Sequence, residues 1–165
     1  MKTLNIYIAG KVSKQSTFGK HHWRDEFCSE IAKLSERKLT HLDPLAEQKG
    51  VIDPFSIFKK DCQLINRCDL VIVYLSDDIS VGGSQEILIA KYLNKPVIGF
   101  APLGGKFNGS KKEMLGEIIN DYKDPFVFST CDVVCGSLDE VAAAVKDYES
   151  IAVKNLSIID NALMD

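Results

Sequence analysis

The chain has 165 residues, of which 45% are hydrophobic and 26% are charged, as in an ordinary soluble globular domain. The formal net charge is −3, which argues against a general nucleic-acid binder because such proteins carry a basic excess. No apolar run reaches the roughly 20 residues of a membrane span, and the first residues do not form a signal peptide. We therefore expect a cytoplasmic protein with neither a membrane nor a nucleic-acid partner.

Strand and helix signals alternate through the first hundred residues. Trp23, Phe27 and Ile31 recur at helical spacing, and Asp53 followed by Pro54 is a typical helix start. The stretch 69–75 is apolar without alternation, which is typical of a parallel strand covered on both faces. The predicted elements are a strand over 3–9 that ends at Gly10, a helix over 21–36, a short strand over 39–42, a helix from 53 to about 66, a strand over 69–75, a helix over 84–93 and a strand over 95–100.

The later residues give weaker signals. We predict a helix over 110–121, a last strand within 126–135, and a helix that opens at the capping-box spacing Ser137-Leu-Asp-Glu140 and continues to about Tyr148. Residues 1–150 form one predicted domain, and 151–165 form an apolar tail, predicted helical and packed on the body or on a partner subunit. The alternation predicts an α/β fold with a doubly wound, mainly parallel sheet.

Ligands of such sheets bind beyond the carboxyl ends of the strands, so the loops at 10–20 and 76–83 are the ones to inspect. The first loop lacks both Gly-x-Gly-x-x-Gly and the Walker arrangement, and no carboxylates cluster at the end of the first strand. These absences argue against a dinucleotide site, a P-loop and a phospho-acceptor site. The five cysteines and three histidines show no metal-ligand spacing. We therefore expect no cofactor and no metal, and the odd number of cysteines indicates reduced thiols.

The first 24 residues contain no acidic residue but several basic ones. Lys11, Lys14, Lys20 and Arg24 lie in or beside the first loop, together with His21 and His22. They form either an anion site, such as one for phosphate, or a solvated loop.

Two carboxylates, those of Asp61 and Glu86, lie on helix faces that are otherwise predicted to be apolar. Asp61 is spaced to share the apolar side of its helix with Ile57 and Leu64, where a carboxylate is costly unless it is hydrogen-bonded or lines a cavity. Glu86 shares a predicted helix face with Ile89, in the expected first turn, where the helix dipole stabilises a negative charge. Each residue could serve catalysis, or could simply bond a neighbouring backbone group.

Glu86 also follows two glycines, Gly82 and Gly83, which let backbone approach a ligand closely. An ionised, partly desolvated carboxylate at such a crevice suits a nucleophile that attacks an electron-poor carbon. Tyr7, on the first strand, could reach the crevice and hold Glu86, or could be an ordinary core tyrosine.

Four pieces of the chain, in this order, resemble the nucleoside 2-deoxyribosyltransferase superfamily, which includes the 2′-deoxynucleoside 5′-monophosphate N-glycosidases. They are Ile6-Tyr-Ile-Ala-Gly10, Lys60-Asp-Cys-Gln-Leu-Ile-Asn-Arg-Cys-Asp69, Ser80-Val-Gly-Gly-Ser-Gln-Glu86 and Asn94-Lys-Pro-Val-Ile98. The resemblance covers about residues 4–100 and implies a flavodoxin-like sheet of about five strands.

The resemblance also implies roles for three residues. Glu86 would attack C1′ of the sugar to form a covalent glycosyl-enzyme, Tyr7 would orient Glu86, and Asp61 would contact the base and help to protonate it as it leaves. The substrate would be a small nucleoside or nucleotide, and the chain would work as a homodimer or a higher homo-oligomer.

One departure bears on the substrate. The transferases usually carry an Asp six residues before the nucleophile, where it binds the 5′-hydroxyl of the sugar, but this chain has Ser80, as the monophosphate glycosidases do. A serine hydroxyl can donate to a phosphate that an aspartate would repel. Those glycosidases tend to have Ser and Arg after the first-strand glycine, where this chain has Lys11 and Ser13.

The substrate-binding residues that follow from motif and resemblance complete the prediction. They are Gly10, Lys11, Ser13, Ser80, Gly82, Gly83 and, as the contribution of a neighbouring subunit after the fourth strand, Ser110. The function expected is cleavage of an N-glycosidic bond through Glu86, with transfer to another base or to water. The alternatives are a hydrolase specific for nucleoside 5′-monophosphates and a non-catalytic nucleotide-binding module of the same fold.

Overall fold

The computed structural model describes residues 2–10, 23–44, 53–76 and 78–164. Its strands are β1 (Leu4–Gly10), β2 (Leu39–His41), β3 (Leu70–Tyr74), β4 (Val97–Phe100), β5 (Lys111–Met114), β6 (Glu117–Asn120) and β7 (Val133–Cys135). Its helices are α1 (Trp23–Ser35), α2 (Pro54–Arg67), α3 (Val81–Tyr92), α4 (Pro125–Thr130), α5 (Leu138–Lys146) and α6 (Ser157–Ala162).

Five of the strands form one parallel sheet in the order β2-β1-β3-β4-β7. This is the flavodoxin-like order 2-1-3-4-5, with β7 as the fifth strand, so the expected fold class is confirmed. The chain moves outward from β1 to β2 and then crosses back to β3 on the other side of β1. The carboxyl ends of β1 and β3 therefore border the switch point at which sheets of this kind bind ligands.

Helices cover both faces of the sheet, and alternate residues of β1 belong to different faces. Ile6 and Ile8 pack in a core cluster with α1 and α5, whereas Tyr7 and Ala9 pack in a second cluster with α2, α3 and α4. Because both faces are covered, β3 is apolar and buried throughout, as the sequence indicated for 69–75. Tyr7 is thereby turned toward the face that carries α2 and α3.

Helix α3 starts three residues earlier than the sequence predicted. The hydroxyl oxygen of Ser80 accepts a 3.0 Å hydrogen bond from the backbone N–H of Gly83, so Ser80 is the N-cap of a helix that begins at Val81. Gly82 and Gly83 therefore lie inside the first turn rather than in a loop. The expected N-caps of α2 and α5, Asp53 and Ser137, are both present.

The helix predicted over 110–121 is wrong, because this segment forms the antiparallel hairpin β5–β6. Its turn residues, Leu115 and Gly116, have φ angles of 55° and 82°. Two consecutive residues at positive φ match the right-handed twist of a hairpin and cannot continue an α-helix. The apolar residues of this segment lie on an exposed ribbon, and Leu115 is 98% exposed.

The last strand occupies only the end of the range predicted for it. Asp124 accepts hydrogen bonds from the N–H groups of Phe126 and Val127, and Pro125 stands at the first helical position, so 125–130 forms α4. The tail beyond residue 150 crosses the body through Ile151 and Lys154 and ends in α6, whose apolar residues are largely exposed. None of the helices in the described ranges is long and apolar enough to cross a membrane.

Candidate active site

A hydrogen bond joins the first strand to the third helix at the switch point. The hydroxyl of Tyr7 donates to Oε1 of Glu86 across 2.8 Å. Tyr7 is 1% exposed, while Glu86 is half-buried. The contact fixes the carboxylate of Glu86, which stays partly exposed to solvent.

Two glycines allow β1 and α3 to meet this closely. Gly10 has a φ of 118°, and a Cβ there would lie 2.4 Å from the carbonyl oxygen of Tyr74. A Cβ at Gly83 would lie 3.2 Å from the Ser80 hydroxyl and 3.6 Å from the Cα of Gly10. Gly10 therefore has no room for a larger residue, whereas a side chain at Gly83 would require the side chains of Ile79 and Ser80 to shift slightly. At Gly82, by contrast, a Cβ would have nothing within 4 Å, so this part of the first turn faces open space.

Glu86 lies in the second turn of α3, not in the first turn as expected, because the helix begins at Val81. The helix dipole acts mainly within the first turn and is therefore a minor influence here. Burial raises the pKa of Glu86 above its ordinary value, and the negative charge of Asp61 raises it further. The hydrogen bond from Tyr7 and the positive charge of Arg24 act in the opposite direction and favour the ionised form.

Asp61 lies on α2, partly buried, and its charge acts on both Tyr7 and Glu86. Burial raises the pKa of Asp61, while the positive charges of Lys60 and Arg24 lower it. Of the two residues expected on the apolar side with Asp61, Leu64 is buried but Ile57 is 38% exposed, so the buried side of α2 is narrower than predicted. Burial keeps a proton on Asp61 to a higher pH than on an exposed aspartate, which suits a proton donor.

Arg24 belongs to this cluster, although the sequence indicated only that it was one of several basic residues near the first loop. It stands in the first turn of α1, and its guanidinium donates to the backbone carbonyls of Ile8 and Gly10. Its charge acts on Tyr7, Asp61 and Glu86. The absence of acidic residues before residue 25 was the available signal, but it did not separate Arg24 from its basic neighbours.

The remaining expected binding residues fall into three groups. Gly10, Ser80, Gly82 and Gly83 meet around the first turn of α3, beside the strand that carries Tyr7. Lys11 and Ser13 lie outside the described residues, as do Lys14, Lys20, His21 and His22. Ser110 lies beyond β4 at the base of the β5–β6 hairpin, where its carbonyl accepts from Asp121, and no described contact joins it to Glu86.

Within the described ranges, no group of three or more His, Cys, Asp or Glu side chains lies together as metal ligands would. All five cysteines are free thiols, and four of them are buried. The functional groups that the structure gathers at the switch point are thus two carboxyls, a phenol and a guanidinium. Such a set can carry nucleophilic and acid–base chemistry on a bound organic substrate.

Solved structures with this architecture include two transferases. A 2-deoxyribosyltransferase of Bacillus psychrosaccharolyticus is 18% identical, with 92% of this chain and 98% of that chain covered and a TM-score of 0.56. A 2-deoxyribosyltransferase of Leishmania mexicana is 20% identical, with 88% and 99% covered and a TM-score of 0.57. The chain has the fold of the 2-deoxyribosyltransferases.

A third similar structure is the CMP N-glycosidase BcmB of Clostridium botulinum, which is 16% identical, with 87% and 98% of the two chains covered and a TM-score of 0.50. These neighbours are the kinds of protein that the sequence resemblance led us to expect. No family model and no curated protein matches the sequence. At these identities the likeness shows the shared fold alone.

Proposed function

We propose that the chain cleaves the N-glycosidic bond of nucleosides, 2-deoxynucleosides or their 5′-monophosphates through a covalent glycosyl intermediate on Glu86. The observation that carries this proposal is the 2.8 Å hydrogen bond from Tyr7 to Glu86, which holds a half-buried carboxylate at the switch point of the sheet. Solved structures of two kinds of enzyme with this fold, the 2-deoxyribosyltransferases and the CMP N-glycosidase, support a nucleoside or nucleotide as the substrate.

The first half of the reaction uses Glu86 as an ionised carboxylate and Asp61 as a protonated carboxyl. One oxygen of ionised Glu86 attacks C1′ of the sugar, and the bond from C1′ to the base nitrogen breaks, with its electron pair leaving on the base. Protonated Asp61 gives its proton to the departing base. The hydrogen bond from Tyr7 occupies Oε1 of Glu86, which leaves Oε2 to form the ester bond.

In the second half, a new base or a water molecule attacks C1′, the ester bond to Glu86 breaks, and ionised Asp61 takes the proton of the incoming group. Transfer and hydrolysis differ only in this acceptor. A product panel separates them: the protein is incubated with deoxynucleosides plus a free base, and separately with deoxynucleoside monophosphates. Chromatography then detects base exchange, or free base with sugar or sugar phosphate.

Substitution of Glu86 tests the nucleophile directly. Glu86→Gln keeps the shape and can still accept from Tyr7, but it should lower turnover by at least about a thousandfold. Glu26→Gln, which changes an exposed glutamate of α1, is the matched control and should leave the rate unchanged. Full activity in Glu86→Gln would exclude this nucleophile. Substrate binding without any product in the wild type would instead favour the non-catalytic binding module.

A preference for a 5′-phosphate is a second candidate, and Ser80 favours it. This serine caps α3 beside the open space at Gly82, its oxygen accepts from Gly83, and no described residue accepts from its O–H. Ser80→Asp is a clean test because aspartate is also a good N-cap, so the helix should persist. We expect monophosphate cleavage to fall far more than nucleoside cleavage. Equal effects on both substrates would remove the argument for phosphate at this position.

A further inference from the structure

Strand β1 extends beyond its neighbour β2 at the carboxyl edge of the sheet. The two strands pair only from Leu4 to Ile6, and the last hydrogen bond on this side runs from the N–H of Leu42 to the carbonyl of Ile6, at 2.9 Å. Carbonyls of a strand alternate between its two neighbours, so those of Ile8 and Gly10 point the same way as that of Ile6. Because β2 has already ended, these two carbonyls have no strand partner on that side among the described residues.

The guanidinium of Arg24 supplies the hydrogen-bond donors that a longer β2 would otherwise provide to these two carbonyls. Its Nε donates to the carbonyl of Ile8 at 3.0 Å, and its Nη2 donates to the carbonyl of Gly10 at 3.1 Å. The group also lies over the ring of Trp23, with Cζ 4.5 Å from the ring centre. A planar fork of fixed donors suits two carbonyls spaced along one strand edge, and a lysine ammonium cannot reproduce it.

The strand end that Arg24 holds is the one that contacts the helix of Glu86. Tyr7, which binds Glu86, is the residue before Ile8, and Gly10 lies against Gly83 in the first turn of α3. A shift of this strand end would therefore move both the phenol and the backbone against which α3 rests.

Arg24 also contributes charge to the same site. The titratable groups that act on Glu86 are Tyr7 from β1, Asp61 from α2 and Arg24 from α1, and Lys60 acts on Asp61. Within the described part of the chain, Arg24 is the cation among the groups that influence Glu86. Its charge lowers the pKa of Glu86, against the burial that raises it.

We propose that Arg24 is a positioning residue of the Glu86 site: its two carbonyl contacts fix the carboxyl end of β1 and hold its positive charge where it acts on Glu86. The proposal rests on the function proposed above for the catalytic part of its test. It adds a residue that touches neither the sugar nor the base and acts through Tyr7, Gly10 and Glu86.

Two substitutions separate the contacts from the charge. Arg24→Gln removes both, and the titration midpoint of Glu86 should rise by about one pH unit. Arg24→Lys keeps the charge but loses the fork, so the midpoint should stay near that of the wild type while kcat falls about tenfold with KM unchanged. The midpoint is read by carbon NMR of the glutamate carboxyls, with the Glu86 signal assigned by its absence in Glu86→Gln.

Arg37 provides a matched control. It also donates to a backbone carbonyl, that of Lys146, and its Cζ lies 5.2 Å from the centre of the Tyr148 ring. Arg37→Gln should lower thermal stability to a similar extent as Arg24→Gln, with no change in the Glu86 midpoint or in kcat. A wild-type midpoint in Arg24→Gln, or a wild-type kcat in Arg24→Lys, would overturn the proposal.

The kinetic and NMR measurements also keep the two proposals apart. If the wild type turns over no nucleoside or nucleotide, the proposed function fails, and the NMR titration still decides whether Arg24 controls the ionisation of Glu86. If turnover depends on Glu86 but neither Arg24 variant differs from the Arg37 control, the inference about Arg24 fails alone. If Arg24→Gln does not fold, the kcat of Arg24→Lys decides the positioning role.

Discussion

Glu86 and Asp132 are both carboxylates packed against the same sheet, but the chain surrounds them very differently. The Asp132 side chain is fully buried and accepts from the ammonium of Lys91, from the backbone N–H of Val97 at 2.7 Å and from that of Lys154 at 2.6 Å. Glu86 accepts a single hydrogen bond within the described residues, from Tyr7, and stays open on one side.

The difference separates a structural carboxylate from one that is available for chemistry. A carboxylate has about four lone-pair positions, and three of those on Asp132 are occupied by donors of the chain itself. Asp132 thereby ties together α3, β4 and the C-terminal tail. Glu86 has lone-pair positions left over, burial raises its pKa, and no cation in the described part of the chain bonds it directly. Such an arrangement costs stability and is typical of functional sites.

The largest effect that this comparison predicts is on stability, at Asp132. Asp132→Asn leaves the buried ammonium of Lys91 without a charge partner and should cost about 3–5 kcal/mol in the free energy of unfolding. Asp121→Asn, which breaks the exposed ion pair with Lys123 at 2.9 Å, should cost less than about 1 kcal/mol. Urea denaturation measures both. Similar losses in the two variants would show that the buried network is no stronger than an exposed pair.

At Glu86 we expect a substitution to raise the free energy of unfolding rather than lower it. Glu86→Gln removes a half-buried charge and should stabilise the protein at neutral pH by about 0.5–2 kcal/mol while it abolishes turnover. Because burial raises the pKa of Glu86, its contribution to stability is complete below the ordinary glutamate pKa and is lost as the pH rises through the raised value. The gap between the variant and the wild type should thus widen with pH. A glutamine variant that is less stable at neutral pH would contradict this reading of the site.

Tyr7→Phe should have the smallest effect on stability of the site variants. Its effect on catalysis should nevertheless be clear. Tyr7→Phe removes one hydrogen bond, at a cost of about 1 kcal/mol. This hydrogen bond lowers the pKa of Glu86, so its loss should move the acid limb of the kcat/KM profile to higher pH. Tyr122→Phe is the control, since Tyr122 also lies 3.3 Å from a carboxylate, that of Asp124, but away from the site. An unchanged acid limb in Tyr7→Phe would show that this contact does not tune Glu86.

The sequence predicted those parts of the fold whose signals are local. Capping residues located the helices at Asp53 and Ser137, and the unbroken apolar run over 69–75 identified a strand covered on both faces. The prediction over 110–121 was wrong because the turn has Leu115 before its glycine, where such hairpin turns usually have Asn, Asp or Gly. The start of α3 was placed too late because the two glycines suggested a loop rather than a first turn capped by Ser80.

For the candidate site, the sequence indicated Tyr7, Asp61 and Glu86 through motif and face, and it indicated the residue types that such chemistry needs. It left Arg24 among several basic residues, because nothing in local spacing shows that β2 ends before β1 and leaves two carbonyls to be satisfied. It gave no reason to expect that Asp132, Lys91 and the tail would meet. These contacts join residues far apart in the chain, at distances that depend on how strands and helices pack.

The sequence by itself determined the order of elements, the apolar strands and the polar groups that the chain can offer, since these follow from local periodicity and capping. The tertiary structure decided which carboxylate is saturated and which is left open, which glycines are in contact, and which arginine closes the edge of β1. Burial and partnership are properties of the packed state, because a side chain acquires its dielectric surroundings and its donors only when distant segments come together.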